Sequence, residues 1–321
     1  MSSPPAPTAT SPDHARRGFV AHVPRLSPKQ WFMLGKNAVQ AWSDDFAPSM
    51  GAALSYYTVF SLAPLLLLVI SIAGLVFGQE AARGALFDQL NSMMGHDAAT
   101  AVQGLLKSVS KPSDGIIGTL ISLSVLIFGA TTVFGELQNA LDRIWHSPAL
   151  KKGGGLLKLL KTRMLSFGMI LGIAFLLMVS LVTSAAIAAL GAWWSPMFGG
   201  WEILAQFVTF VFGFLMTTAI FGMIYKIMPR VHIQWSDVWV GAAVTSVLFN
   251  VGRFLIGLYI GKSSVASGFG AAGSLIVVFV WVYYSAQIFF LGAEFTWVYA
   301  TTYGSKRNQE VAPPATVPSR A

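Results

Sequence analysis

The stretch SMGAALSYYTVFSLAPLLLLVISIAGLVF, Ser49 to Phe77, decides the fold, because it holds no Asp, Glu, Lys or Arg. A helix needs about 20 predominantly apolar residues to cross the ~30 Å hydrocarbon core of a bilayer. Five further stretches read the same way, at about Ile116–Phe134, Met164–Leu190, Ile203–Tyr225, Val238–Ile260 and Ala272–Tyr299. In lipid a backbone must satisfy its own polar groups, so such runs are helices. The expected fold is an all-α, polytopic integral membrane protein with six transmembrane helices.

Composition agrees. Of 321 residues, 55% are hydrophobic and 11% charged, whereas a soluble domain carries about 25% charge. One membrane domain, 29–304, is expected between two disordered cytoplasmic tails, 1–28 and 305–321. The first is rich in Ser, Pro, Ala and Thr, and the second holds Pro313, Pro314 and Pro318. The first 48 residues contain no uninterrupted apolar run of the kind that makes a signal peptide. The absence of cysteine excludes disulfides, thiolate metal sites and a cysteine nucleophile.

The net charge of +8 matters through its distribution. Sixteen of the Lys and Arg residues fall in the two tails and in the loops after the second and fourth stretches. Only Arg83, Lys107, Lys111 and Lys262 fall in the alternate loops. The positive-inside rule then puts both termini in the cytoplasm, with an even number of crossings.

Outside the spans, Ser27-Pro28 has the residues of a helix start. Trp31, Leu34, Ala38 and Trp42 follow at helical spacing. That segment is either an amphipathic helix on the inner membrane surface or a cytoplasmic extension of the first span. The long first outer loop should hold two short amphipathic helices, with Leu86, Leu90 and Met93 on one apolar face and Val102, Leu105, Leu106 and Val109 on another. Gly168/Gly172 and Gly257/Gly261 have the spacing of closely packed membrane helices.

The candidate pathway residues are Tyr57, Ser61, Pro64, Asn250, Arg253, Trp281 and Gln287. Tyr57, Ser61 and Pro64 bring hydroxyls and a helix-kinking residue into the first span, where freed carbonyls often lie beside a transporter's substrate site. The competing reading is that the hydroxyls bond their own helix. Arg253, three residues after Asn250, is a cation deep within a span, at a cost of about 2.5–3.5 kcal/mol on insertion scales. It is expected to face the bundle interior or a water-filled cavity, where an anionic substrate, Gln287 or Tyr283 could pair with it. A buried structural arginine is the alternative. Glu294 and Glu136 are the candidate ion-coupling residues, grouped in depth with Asp44 and Asp45 at the inner mouth. These acids either bind a cation or proton, or offset interfacial Lys and Arg.

No metal site is expected, because the five histidines are scattered over tails and loops. There is no Gly-x-Ser-x-Gly elbow or Walker pattern. The tryptophans fall near span ends, as an interfacial belt does rather than a nucleic-acid surface.

Three motifs in order carry a resemblance. They are Trp42-Ser-Asp-Asp with Gly51-Ala-Ala-Leu-Ser-Tyr-Tyr-Thr-Val-Phe-Ser-Leu-Ala-Pro64; Asn139-Ala-Leu-Asp-Arg-Ile-Trp145; and Gly270-Ala-Ala-Gly-Ser-Leu-Ile with Trp281-Val-Tyr-Tyr-Ser-Ala-Gln and Gly292-Ala-Glu294. Over about Lys36–Tyr303 the chain resembles the YihY/virulence factor BrkB family. The resemblance implies a six-helix bacterial inner-membrane protein suspected of transporting small solutes or envelope lipids. Tyr57, Ser61, Pro64, Trp281 and Glu294 match family positions, and no catalytic residue comes with them. A ribonuclease label has also been attached to that family, but this chain lacks the His and Asp cluster such chemistry needs.

The expected function is therefore a secondary transporter or exporter of a small solute, not an enzyme. The alternative is a structural or envelope-assembly protein that handles lipid without solute transport. Membrane lipids, a small solute and a coupling ion are the expected partners, with no cofactor and no nucleic acid.

Overall fold

The computed structural model describes residues 26–109, 132–147, 172, 176, 201–262 and 272–307, and every regular element among them is a helix. In chain order these are α1 (Pro28–Asp44), α2 (Ala47–Phe77), α3 (Gln79–Met94), α4 (His96–Val109), α5 (132–144), α6 (Trp201–Ile227), α7 (Trp235–Lys262) and α8 (Gly273–Thr302). Four of them, α2, α6, α7 and α8, are long and apolar enough to cross a membrane. They are the first, fourth, fifth and sixth expected spans, and the chain is an all-α polytopic membrane protein. The second expected span lies outside the described residues except for 132–134, and the third except for Gly172 and Leu176.

The helix α8 is the most buried of the four and packs against α7, α2, α1 and α4. The outer surfaces of the others are apolar, with Phe207 and Phe210 on α6 and Phe254 and Leu255 on α7 all exposed. That pattern suits helices whose solvent on one side is lipid. Among the close approaches of α7 to α8, a Cβ at Gly252 would lie 2.2 Å from Ile288 Cδ1. The approach expected at Gly257 is absent, since nothing lies within 4 Å of that position.

Helix α1 opens on a capping box. Ser27 N–H donates to Gln30 Oε1 at 2.7 Å, and Gln30 N–H donates to Ser27 Oγ at 3.4 Å. Leu34 and Ala38 bury against Phe295, Val298 and Tyr299 of α8, and Trp31 stacks on Phe295. Phe32, Met33 and Val39 remain exposed. A turn at Asp45 and Phe46 separates α1 from α2, so α1 is a distinct amphipathic helix and not an extension of the span.

At the opposite end, α3 and α4 are two short helices in the expected first loop, and of the two α4 is the amphipathic one. Gly78 and Gly95 both take φ 85° at their starts, a conformation that glycine adopts without strain. Ala98, Ala99 and Val102 of α4 bury against Val277, Val278 and Val282 of α8 and Ile256 and Ile260 of α7. The apolar face of α4 is therefore partnered by the bundle.

Two polar clamps hold the other end. Asp142 Oδ1 of α5 accepts from the backbone N–H of Arg230 at 2.8 Å. Arg230 Nη1 lies 2.9 Å from Asp142 Oδ2, an ion pair whose angle falls outside hydrogen-bond geometry. Gln138 donates to the Met228 carbonyl at 3.1 Å. Below this clamp Leu141, Ile144 and Trp145 are buried with Tyr225 of α6 and Phe290 of α8.

The second clamp lies just past the end of α8. Ser305 donates to Asp237 Oδ2 through both its N–H, at 3.0 Å, and its hydroxyl, at 2.6 Å. The chain just past α8 is thereby tied to the first turn of α7, and Lys306 Nζ lies over the Trp145 ring. Partial burial pushes the Lys306 ammonium below the usual lysine range, and the Asp237 carboxylate opposes that shift.

Candidate functional site

Gln287, Glu294 and Thr301 recur every seven residues along α8. Seven residues turn a helix almost twice and advance it ~10.5 Å, so the three share one face over ~21 Å. That face meets the start of α2 and the end of α1. A Cβ at Gly51 would lie 2.0 Å from Gln287 Nε2, so the missing side chain at Gly51 makes room for the amide. One level lower, Glu294 lies against Asp45, with Asp44 beyond.

Glu294 is fully buried, and among the described residues neither carboxylate oxygen has a hydrogen-bond donor. Its carboxyl lies within hydrogen-bonding reach of the Asp45 carboxyl, yet Asp45 Oδ2 is also buried without a donor. Two ionised carboxylates are acceptors only. The pair is satisfied when it gains a proton or a cation. Among the described residues no three metal-ligating side chains converge, so the acids act as a pair. Higher up, both the Oε1 and Nε2 of Gln287 are buried without partners. Natural interiors leave few such groups, and here two stand on one helix face.

A cavity of ≈ 370 Å³ opens directly below Glu294. Asn37, Gln40, Asp44 and Asp45 line one wall, Trp297, Val298 and Thr301 another, with His146 at the rim. Val298 and Thr301 follow Glu294 by four and seven residues, so the cavity continues the polar face of α8. Two non-glycine residues with positive φ bracket it, Phe46 at 57° and His146 at 47°. Such conformations cost about 1–3 kcal/mol and cluster at functional sites. The Arg143 guanidinium lies over the Phe46 ring, and the His146 ring lies over Trp297.

The remaining expected residues fall elsewhere. Ser61 is buried on α2, where its hydroxyl donates to the Thr58 carbonyl at 3.0 Å. Tyr57 is half-buried with its ring edge-on to Tyr56, and α2 continues through Pro64 as one helix. Trp281 packs edge-on to Phe249, with its indole N–H buried and unpartnered. Asn250 donates to the Ser246 carbonyl at 2.8 Å, within its own helix. Arg253 stands at an exposed position on α7, beside Val251, Phe254 and Leu255. Glu136 is half-buried on α5 and makes no contact with Glu294 among the described residues. The inner acids are thus Glu294, Asp45 and Asp44.

The family model described as Virulence factor BrkB matches residues 38–316. The chain belongs to that family. It is 27% identical over 267 residues to a UPF0761 membrane protein of Tolumonas auensis, covering 80% of this chain and 82% of that one. A UPF0761 membrane protein of Acinetobacter baylyi is 22% identical over 281 residues, covering 87% of this chain. One from Pseudomonas aeruginosa is 26% identical over 255 residues, covering 78%. The matches span 64% and 58% of those two longer relatives. No solved structure matches the chain. The matched region takes in α2, α5 and α8, and with them Asp45, Gly51, Gln287 and Glu294.

Proposed function

We propose that this BrkB-family protein is a secondary transporter or exporter of a small solute in the bacterial inner membrane, not an enzyme, with both termini cytoplasmic. The observation that carries the reading is Glu294. A fully buried carboxylate without a donor among the described residues, above a cavity of ≈ 370 Å³, is costly to keep in a bundle that only has to pack. Reversible loading of the Glu294–Asp45 pair by a proton or monovalent cation gives that cost a purpose. The cavity is the cytoplasmic vestibule, and the Gln287 amide is the next polar station toward the far side. The sixteen-to-four bias of basic residues supports this orientation.

The test is flux in proteoliposomes against a panel of small solutes, with imposed proton and Na⁺ gradients. A solute whose movement depends on one gradient in the native protein, and loses that dependence in Glu294→Gln, supports the reading. Flux with the same gradient dependence in both proteins removes Glu294 from coupling. Absence of flux for the whole panel favours a structural or envelope-assembly role.

A further inference from the structure

A second cavity lies at the other end of the bundle, between α2, α3 and α4, with a volume of ≈ 150 Å³. Its inner wall is apolar and includes Leu67, Ile70, Phe87 and Leu90. Two cations line it, Arg83 from α3 and Lys107 from α4, and no acid does. The acids of these two helices, Glu80, Asp88 and Asp97, all lie outside the lining. Among the described residues neither cavity cation is in a salt bridge with a carboxylate.

Depth decides what fits. Leu67 and Ile70 precede the end of the apolar span at Leu75 by eight and five residues. At helical rise they lie ~12 and ~8 Å inside that end. The apolar wall is therefore at the depth of acyl chains. Arg83 and Lys107 sit on the two helices that follow the span in the chain, outside its apolar run. A cavity of this size holds an apolar group about as large as benzene, so it takes a segment of one chain and not a whole lipid. Like charges facing one cavity without an anion repel, and a phosphodiester relieves them through charge-assisted bonds.

We propose that this cavity is a seat for an anionic phospholipid. The phosphate lies between Arg83 and Lys107, and the upper part of one acyl chain lies against Leu67, Ile70, Phe87 and Leu90. The seat is independent of the transport reading, because it shares no residue with the Glu294 face.

The chain has no cysteine, which gives a local probe. Gln103, at the exposed edge of the cavity, is changed to Cys and labelled with an environment-sensitive fluorophore in the full-length protein. Detergent-solubilised protein is then titrated with phosphatidylglycerol or phosphatidylcholine of identical chains. The expected result is a saturable response to phosphatidylglycerol that is roughly tenfold weaker in an Arg83→Gln/Lys107→Gln background, the size expected for losing charged hydrogen bonds. An Arg83→Lys/Lys107→Arg background, which keeps both charges, should respond within a few-fold of the native pair. Equal responses to the two lipids, or an unaltered response in the Gln background, would overturn the proposal. Displacement of the lipid response by millimolar inorganic phosphate alone would also overturn it, by making the site one for a free anion.

Discussion

Thr245 of α7 and Gly292 of α8 occupy the same space from opposite sides: a Cβ at position 292 would lie 2.0 Å from Thr245 Oγ1. The relationship is reciprocated one turn away, where a Cβ at Gly241 would lie 1.8 Å from Thr296 Oγ1. Each threonine donates to a carbonyl of its own helix, Thr245 to Gly241 and Thr296 to Gly292, both at 2.7 Å. The hydroxyls are thus satisfied without crossing the interface, and the glycines let the two backbones close together. Tyr225 ties the same crossing to α6 by donating to the Phe289 carbonyl at 2.7 Å.

Gly292→Ala is therefore expected to destabilise the protein by about 1–3 kcal/mol, the usual cost of overfilling a packed core. Thermal unfolding in detergent reads it. Adding Thr245→Gly removes the atoms that the new methyl meets, and should recover part of the loss. A Gly292→Ala protein that melts with the native one would show that the helices separate freely here.

Glu294→Gln is expected to raise stability while harming function. The amide keeps the shape of the carboxyl and supplies two N–H donors beside the acceptor-only Asp45 carboxylate. It also removes the need for the buried pair to take up a proton or cation before its acceptors are satisfied. The melting temperature should rise, by an amount corresponding to about 1 kcal/mol or more. Asp45→Asn should act in the same direction, less strongly, since Asp45 lies in the turn before α2. A lower melting temperature for Glu294→Gln would mean that the acid has a stabilising partner, and the argument for ion loading would fail with it.

How much of this was legible beforehand depends on the kind of contact. The spans of α2, α6, α7 and α8 follow from hydropathy, because lipid enforces helices on apolar runs. The start of α1 follows from Ser27 and Pro28, whose effects are local. Glu294 was legible as an acid within a span, and its partner Asp45 only as an acid at similar depth. For Arg253 the sequence gives depth only, because depth along a helix says nothing about which side of it a residue occupies. The sevenfold spacing that joins Thr301 to Glu294 and Gln287 was there to be read. The facing glycines Gly51, Gly241 and Gly292 were not, since each depends on which helix happens to lie opposite. The Asp237–Ser305 clamp joins residues 68 apart, and nothing in either local sequence announces it.

The Asp142–Arg230 clamp allows a ranking. Asp142 satisfies a backbone N–H as well as a guanidinium, and its side chain is 11% exposed against 37% for Arg230. Asp142→Ala leaves the Arg230 N–H without its acceptor, at about 1–3 kcal/mol if water does not replace it. Arg230→Gln loses a partly exposed ion pair, worth about 0–1 kcal/mol. Asp142→Ala should thus lower the melting temperature more than Arg230→Gln does. The reverse order would show that the guanidinium, through its bond to Gln138 at 3.1 Å, carries the joint.

Gly51→Ala separates a pathway from a packing role for Gln287. The added methyl would meet the Gln287 amide nitrogen at 2.0 Å and its carbonyl carbon at 3.1 Å. What it meets is the far end of a flexible side chain, not backbone, so the amide can swing aside. Alanine also favours a helix interior over glycine by about 1 kcal/mol. The melting temperature should therefore stay level or rise slightly, while the amide leaves its place above Glu294. If solute or ions pass this amide, flux through reconstituted protein should fall severalfold in Gly51→Ala, and Gln287→Leu should reproduce the fall. Both variants must first be shown to retain native melting, so that a loss of flux is not a loss of fold. Native flux in a stably folded Gly51→Ala protein would take Gln287 out of the pathway and leave Glu294 as a site served only from the cavity beneath it.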